Sequence, residues 1–132
     1  MTEATTARRV LVADDDPYIC RILTHNLEAE GFQVTVCNDG EDARDLARAT
    51  VPDVIILDVM MPKRDGFDVL ASLKANPSTR AIPVVLLSAK STDEDVWEGW
   101  RAGAAYYVTK PFDMEELLRY VTAAAGAAPR PS

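Results

Sequence analysis

The chain has 132 residues, one domain's worth, and at 48% hydrophobic and 27% charged it reads as an ordinary soluble globular protein able to bury one core. Its 14 basic and 21 acidic side chains leave a net charge of −7, which argues against phosphate-backbone contact and so against DNA binding by this chain itself. No apolar run approaches the ~20 residues of a membrane span, the polar start MTEATTARR is no signal peptide, and Cys20 and Cys37 form neither a disulfide framework nor a metal spacing, so a reduced, cytoplasmic protein is expected.

The first predicted element is a short apolar strand at 9–13, followed by Asp14, Asp15, Asp16 and Pro17. Asp16 before Pro17 is a helix start, with a cap and a proline at the first helical position. Ile19, Ile22, Leu23 and Leu27 give that helix one apolar face, and Gly31 stops it. A second strand at 32–37 alternates Phe32, Val34 and Val36, and a polar-faced helix follows at about 41–49. The third strand, 53–57, is apolar on both faces; its helix begins near Phe67 and ends at Asn76-Pro77. A fourth strand is expected at 82–87. A capping box at Ser91, Thr92, Asp93 and Glu94 then opens a helix that reaches Gly103. A short strand at 106–109 and a last helix capped from Asp113, with Met114, Leu117, Leu118 and Val121 inward, complete the chain. Trp97 and Trp100, three apart on the fourth helix, are assigned to the core, and His25 to solvent.

Strands alternating with helices, several of them apolar on both faces, predict an α/β domain whose parallel sheet is covered by helices on both sides. The expected domain runs from 8 to 126, with loose tails at 1–7 and 127–132.

In such a sheet, ligands bind beyond the carboxyl ends of the strands. The first strand ends in Asp14, Asp15 and Asp16, the third in Asp58, the fourth in Ser88 and the fifth in Lys110. The second ends in Cys37, Asn38, Asp39 and Gly40, a plain turn. Asp16 is accounted for as a helix cap, and Asp58 or Lys110 alone would pass for a turn residue or a solvated lysine. Their joint occurrence at four strand ends is what makes a site. Three gathered carboxylates repel and raise at least one pKa unless a cation joins them. Hard oxygen ligands with room for water suit Mg²⁺. Lys110 and Ser88 suit phosphoryl oxygens, and a carboxylate can accept a phosphoryl group as an aspartyl-phosphate.

These residues lie in the segments VLVADDDP, VIILDVMMPKRDGF, PVVLLSAK and YYVTKPF, in this order. Over about 9–125 the chain thereby resembles the receiver domain of two-component response regulators. The resemblance implies a flavodoxin-like doubly wound (βα)5 fold with strand order 2-1-3-4-5. It also implies Mg²⁺-dependent phosphorylation by a histidine kinase or phosphotransfer protein in a phosphorelay. Carried over, Asp58 is the phosphoacceptor, with Ser88 and Lys110 beside it. Asp14, Asp15, Asp58 and the backbone carbonyl of Met60 are the metal set, and Ser88 with Tyr107 the switch. The resemblance further implies a cis Lys110–Pro111 bond and an output face of the fourth helix, fifth strand and fifth helix that engages a downstream protein or effector domain. No membrane contact and no substrate turnover of its own are expected.

Tyr106 and Tyr120 depart from the Asp and Arg that many DNA-binding members use to dimerise. In the family it resembles, the positions of Met60 and Lys90 influence loss of the phosphoryl group, and an apolar side chain and a long cation there predict a long-lived phosphoform. Three other readings compete. An aspartyl-phosphate hydrolase would place a second Asp where Met60 stands. A flavodoxin-type cofactor binder needs a Ser/Thr/Gly-rich loop where this chain has three aspartates. A receiver-shaped module working without phosphorylation sits poorly with an intact acidic pair, Asp58, Ser88 and Lys110.

Overall fold

A computed structural model describes residues 8–90 and 92–126. The tails expected at 1–7 and 127–132, and Ser91 of the expected capping box, lie outside the described residues. Ten elements alternate strictly: β1 (Arg9–Ala13), α1 (Pro17–Ala29), β2 (Gln33–Cys37), α2 (Gly40–Thr50), β3 (Val54–Asp58), α3 (Gly66–Ala75), β4 (Val84–Ser88), α4 (Asp93–Ala102), β5 (Tyr106–Thr109) and α5 (Met114–Ala125). The five strands form one parallel sheet in the order β2-β1-β3-β4-β5, the expected doubly wound arrangement.

Most helices begin where short polar side chains can satisfy their free amides. Asp16 accepts from the Tyr18 amide, with Pro17 opening α1; Asp39 accepts from Asp42 and Asp65 from Asp68. Two expected starts differ in detail. The capping box at α4 is formed by Thr92 and Asp95. Asp113 stands at the N-cap of α5 without a side-chain hydrogen bond, so α5 is held by burial of Leu117 and Val121. Ile82 is buried but precedes β4, which starts only after Pro83, a residue with no amide to donate to a ladder.

Alternate residues of each central strand face opposite sides of the sheet, so there are two apolar layers. Leu11, Ile55, Leu57, Val84 and Leu86 pack with Ala43, Val69, Leu70 and Leu73 of α2 and α3. Val10, Val12, Val54, Ile56, Val85 and Leu87 pack with Leu23, Leu27, Leu117 and Val121 of α1 and α5. β2, at the edge, buries only Cys37 fully and leaves Val36 exposed.

The two tryptophans are not in the core. Trp97 is 63% exposed and Trp100 49%. Gly99 is the buried residue of α4, and with a turn of 3.6 residues the positions two before and one after it rotate away from the sheet. His25 is exposed, as expected.

Candidate functional site

The polar strand ends meet at one edge of the sheet, and backbone bonds hold each at its level. The Asp14 amide donates to the Cys37 carbonyl (3.1 Å), Val59 to Leu87 (2.9 Å) and Lys110 to Ser88 (2.8 Å). The chain beyond Asp58 then folds back so closely that a Cβ on Gly66 would stand 2.6 Å from the Asp58 carbonyl oxygen. Only glycine fits that return. The Lys110–Pro111 bond is cis.

Asp14 and Asp58 are buried, and Lys110 Nζ reaches both, at 3.0 Å from Asp14 Oδ2 and 3.3 Å from Asp58 Oδ2. Their other oxygens accept amide hydrogens, Asp14 Oδ1 from Asp16 (2.9 Å) and Asp58 Oδ1 from Met60 (3.2 Å). Asp15 is exposed, yet one carboxylate oxygen from each of Asp14, Asp15 and Asp58 lies within 4.8 Å of the others. Met60 joins the site through its amide, with its side chain outside.

Burial, and then the Asp14 charge, push the Asp58 carboxyl up to about 6, against the pull of Lys110 and the Met60 amide. Burial works against the Lys110 charge, but hydrogen bonds and charges from Asp14 and Asp58 outweigh it and hold that ammonium above its ordinary value. Three carboxylates facing one ammonium leave a deficit of two positive charges. A divalent cation with hard oxygen preference fits both the charge and the donor set.

Ser88 is fully buried, and its Oγ accepts from the Lys90 amide at 3.0 Å. The Lys90 carbonyl in turn accepts from the Tyr107 hydroxyl at 2.8 Å. Tyr107 therefore already lies inward, toward the loop that carries Ser88. Burial pushes its phenol up, with the Ser88 side chain offsetting part of that rise. On the opposite face Tyr106 and Tyr120 stack on each other, with ring centroids 4.5 Å apart and planes 16° apart.

The turn after β2, which reads as plain, takes part in the site. Asn38 Nδ2 donates to the Asp14 carbonyl at 3.1 Å, and Cys20 Sγ at 3.2 Å, so both hold the acidic loop. The clue is the register that sets Cys37 opposite Ala13, which exists only once β1 and β2 are paired. Burial first, then nearby carboxylates, push Cys20 up to about 11 and Cys37 up to about 12, which disfavours the thiolate at both.

Comparison with known proteins agrees with this geometry. The model of the response regulator receiver domain matches residues 10–122. Over 115 residues the chain is 44% identical to the DNA-binding dual master transcriptional regulator RpaA of Synechocystis sp., covering 87% of this chain and 48% of that protein. The chain spans about half the length of the curated relatives it matches. It superposes with a TM-score of 0.86 on the receiver domain of a Francisella response regulator, 37% identical, with 91% of this chain and 98% of the other covered. The receiver domain of a Pseudomonas aeruginosa sensor histidine kinase, solved with magnesium in its active site cleft, gives 0.84 at 27% identity, with 92% and 99% covered. Sequence, strand order and the acidic edge thus point the same way, and the chain belongs to the response regulator receiver domain family.

Proposed function

We propose that this domain is a phosphorylation-activated receiver in which Asp58 accepts a phosphoryl group from a phosphohistidine of a histidine kinase or phosphotransfer protein. The observation that carries the reading is the Lys110 ammonium between Asp14 and Asp58. It neutralises part of the charge around a carboxylate that burial makes costly to ionise, and it can follow that oxygen once a phosphoryl group is attached. In the transfer an Asp58 oxygen forms a bond to phosphorus while the phosphorus–nitrogen bond of the donor breaks, its electron pair staying on the imidazole. Positioning and charge neutralisation dominate such a transfer.

Asp14, Asp15 and Asp58, with the Met60 carbonyl, would hold Mg²⁺, which supplies charge neutralisation for the phosphoryl oxygens. The magnesium in the Pseudomonas relative supports this choice of ion. The hydroxyl hydrogen of Ser88 can turn toward a phosphoryl oxygen while its Oγ still accepts from Lys90. An apolar groove lined by Tyr18, Ile19, Ile22, Phe112 and Met114 runs beside Lys110, a surface on which a donor protein can dock.

The product is a changed binding surface, not a released molecule. Phosphorylation adds about two negative charges and biases two packings, typically by ~1–3 kcal/mol. Ser88 and Tyr107 pass that bias to the face of α4, β5 and α5, which meets a downstream protein or effector. With a net charge of −7, contact with DNA belongs to that partner or effector and not to this domain. Among the described residues no helix is long and apolar enough to cross a membrane, and we assign the domain to the cytoplasm. Met60 and Lys90, both exposed, flank the acceptor and would slow attack by water; a phosphoform lost within seconds would count against that role.

Intact mass after incubation with Mg²⁺ and acetyl phosphate tests the reading. One Mg²⁺-dependent phosphoryl adduct that is absent in Asp58→Asn is expected. No adduct on the folded native chain would favour a module that binds without phosphorylation, and an adduct surviving in the variant would assign the wrong carboxylate.

A further inference from the structure

Gly99 sits inside α4 with an ordinary helical backbone, where glycine is less favourable than any residue but proline. Its conformation does not require glycine, since its φ is not in the left-handed range that Gly31 and Gly103 adopt. Its surroundings do. A Cβ there would stand 2.5 Å from Tyr107 Cδ2, 3.0 Å from Cε2 and 3.4 Å from Leu86 Cδ1. The first of these is far inside contact distance, and the atom it meets belongs to a ring, not to the end of a flexible chain.

The ring seated in this notch is tied at its other end to the phosphorylation site. Tyr107 OH donates to the Lys90 carbonyl (2.8 Å), and the Lys90 amide donates to Ser88 Oγ (3.0 Å). A continuous path thus runs from Ser88 through the backbone of one residue, Lys90, to Tyr107 and into the body of α4. We propose that Gly99 is a positioning residue of the switch, its missing side chain forming the notch that seats Tyr107 on α4 so that movement at Ser88 is passed to that helix. This rests on the receiver reading above, and it names a residue of α4 through which that site is read out.

The two tryptophans of the chain, Trp97 and Trp100, flank Gly99 and are exposed, so intrinsic emission reports on α4 directly. The full chain is treated with Mg²⁺ and acetyl phosphate, and the mass adduct and the tryptophan emission are read together. Gly99→Ala is expected to take the same single adduct while its emission change falls roughly twofold or more, as loss of a typical coupling requires. The denaturation midpoint supplies a second readout. Gly99→Ala should lower the midpoint when Tyr107 is present and raise it in a Tyr107→Ala background, where the clash is gone and alanine's better helix propensity remains. If Gly99→Ala does not fold alone, recovery of folding with Tyr107→Ala supports the notch, and no recovery overturns it. An emission change equal to that of the native chain, loss of the adduct in Gly99→Ala, or a midpoint shift of the same sign in both backgrounds also overturns it. A native chain that takes the adduct with no emission change overturns the transmission to α4. A folded native chain that takes no adduct overturns the receiver reading itself and, with it, this inference, while the midpoint cycle still tells whether the notch exists.

Discussion

Asp58 is buried beside a second buried carboxylate, and its pKa, pushed up to about 6 by burial and then by Asp14, has a consequence for stability. Below the ordinary value of 3.8 the group is protonated in both folded and unfolded chains. Between 3.8 and about 6 the folded chain keeps a proton that the unfolded chain has lost. Folding stability from this group therefore falls as pH rises through that window, and the full cost is present above it. Asp58→Asn should accordingly be more stable than the native chain by up to about 3 kcal/mol at about pH 8 without Mg²⁺, and lose the advantage toward about pH 4. Urea denaturation at the two pH values, with and without Mg²⁺, measures this, and the metal should narrow the gap. Equal stability at the higher pH would mean that Lys110 already compensates both carboxylates. Asp14, Asp15, Asp58, Ser88 and Lys110 could all be picked out in the sequence as candidates, because each lies at or just beyond the end of an apolar strand. Asn38 and Cys20 were not, since their part is to hold a carbonyl that a strand from elsewhere in the chain presents.

At the level of elements, α4 is where composition misleads. Two tryptophans three apart suggest an inward face, but the face was chosen by the small residue between them. Gly99 lets the helix approach Tyr107, and the tryptophans then turn outward. Trp97→Ala should therefore change unfolding stability by no more than about 0.5 kcal/mol, as for an ordinary surface substitution, and not by the ~3–5 kcal/mol of a core aromatic. The midpoint and slope of a urea titration decide between the two, and a loss of several kcal/mol would return Trp97 to the interior. The Tyr106–Tyr120 stack belongs to the same scale. The two positions noted as departing from a charged dimer contact satisfy each other within the chain, joining β5 to α5. The helix starts at Asp16 and Asp113 were marked in the sequence and both residues stand at N-caps, although Asp113 makes no cap bond, whereas Asp39 and Asp65, which cap α2 and α3, were not singled out.

Across the whole molecule, one sheet separates two apolar layers, and residues adjacent in sequence belong to different cores. Ile55 faces the α2–α3 side and Ile56 the α1–α5 side. Ile55→Val and Ile56→Val should each cost about 0.5–1.5 kcal/mol. The double variant should cost their sum to within about 0.5 kcal/mol, because the two side chains share no packing partners. A larger departure from additivity, measured by the same denaturation assay, would mean that the strand backbone couples the layers.

The alternation of apolar runs and helix signals determined the (βα)5 class, since burial on both faces of a strand leaves that pattern in any continuous stretch of chain. The carboxylates, hydroxyl and lysine at the strand ends marked the candidate site for the same reason: each is local to its strand. Tertiary structure decided what depends on distant neighbours. It set which oxygens Lys110 bridges, how far the Asp58 proton is held, and that Asn38 steadies the acidic loop. It also turned the α4 tryptophans to solvent, because a glycine's role is visible only when the ring that fills its missing side chain has been brought up from β5.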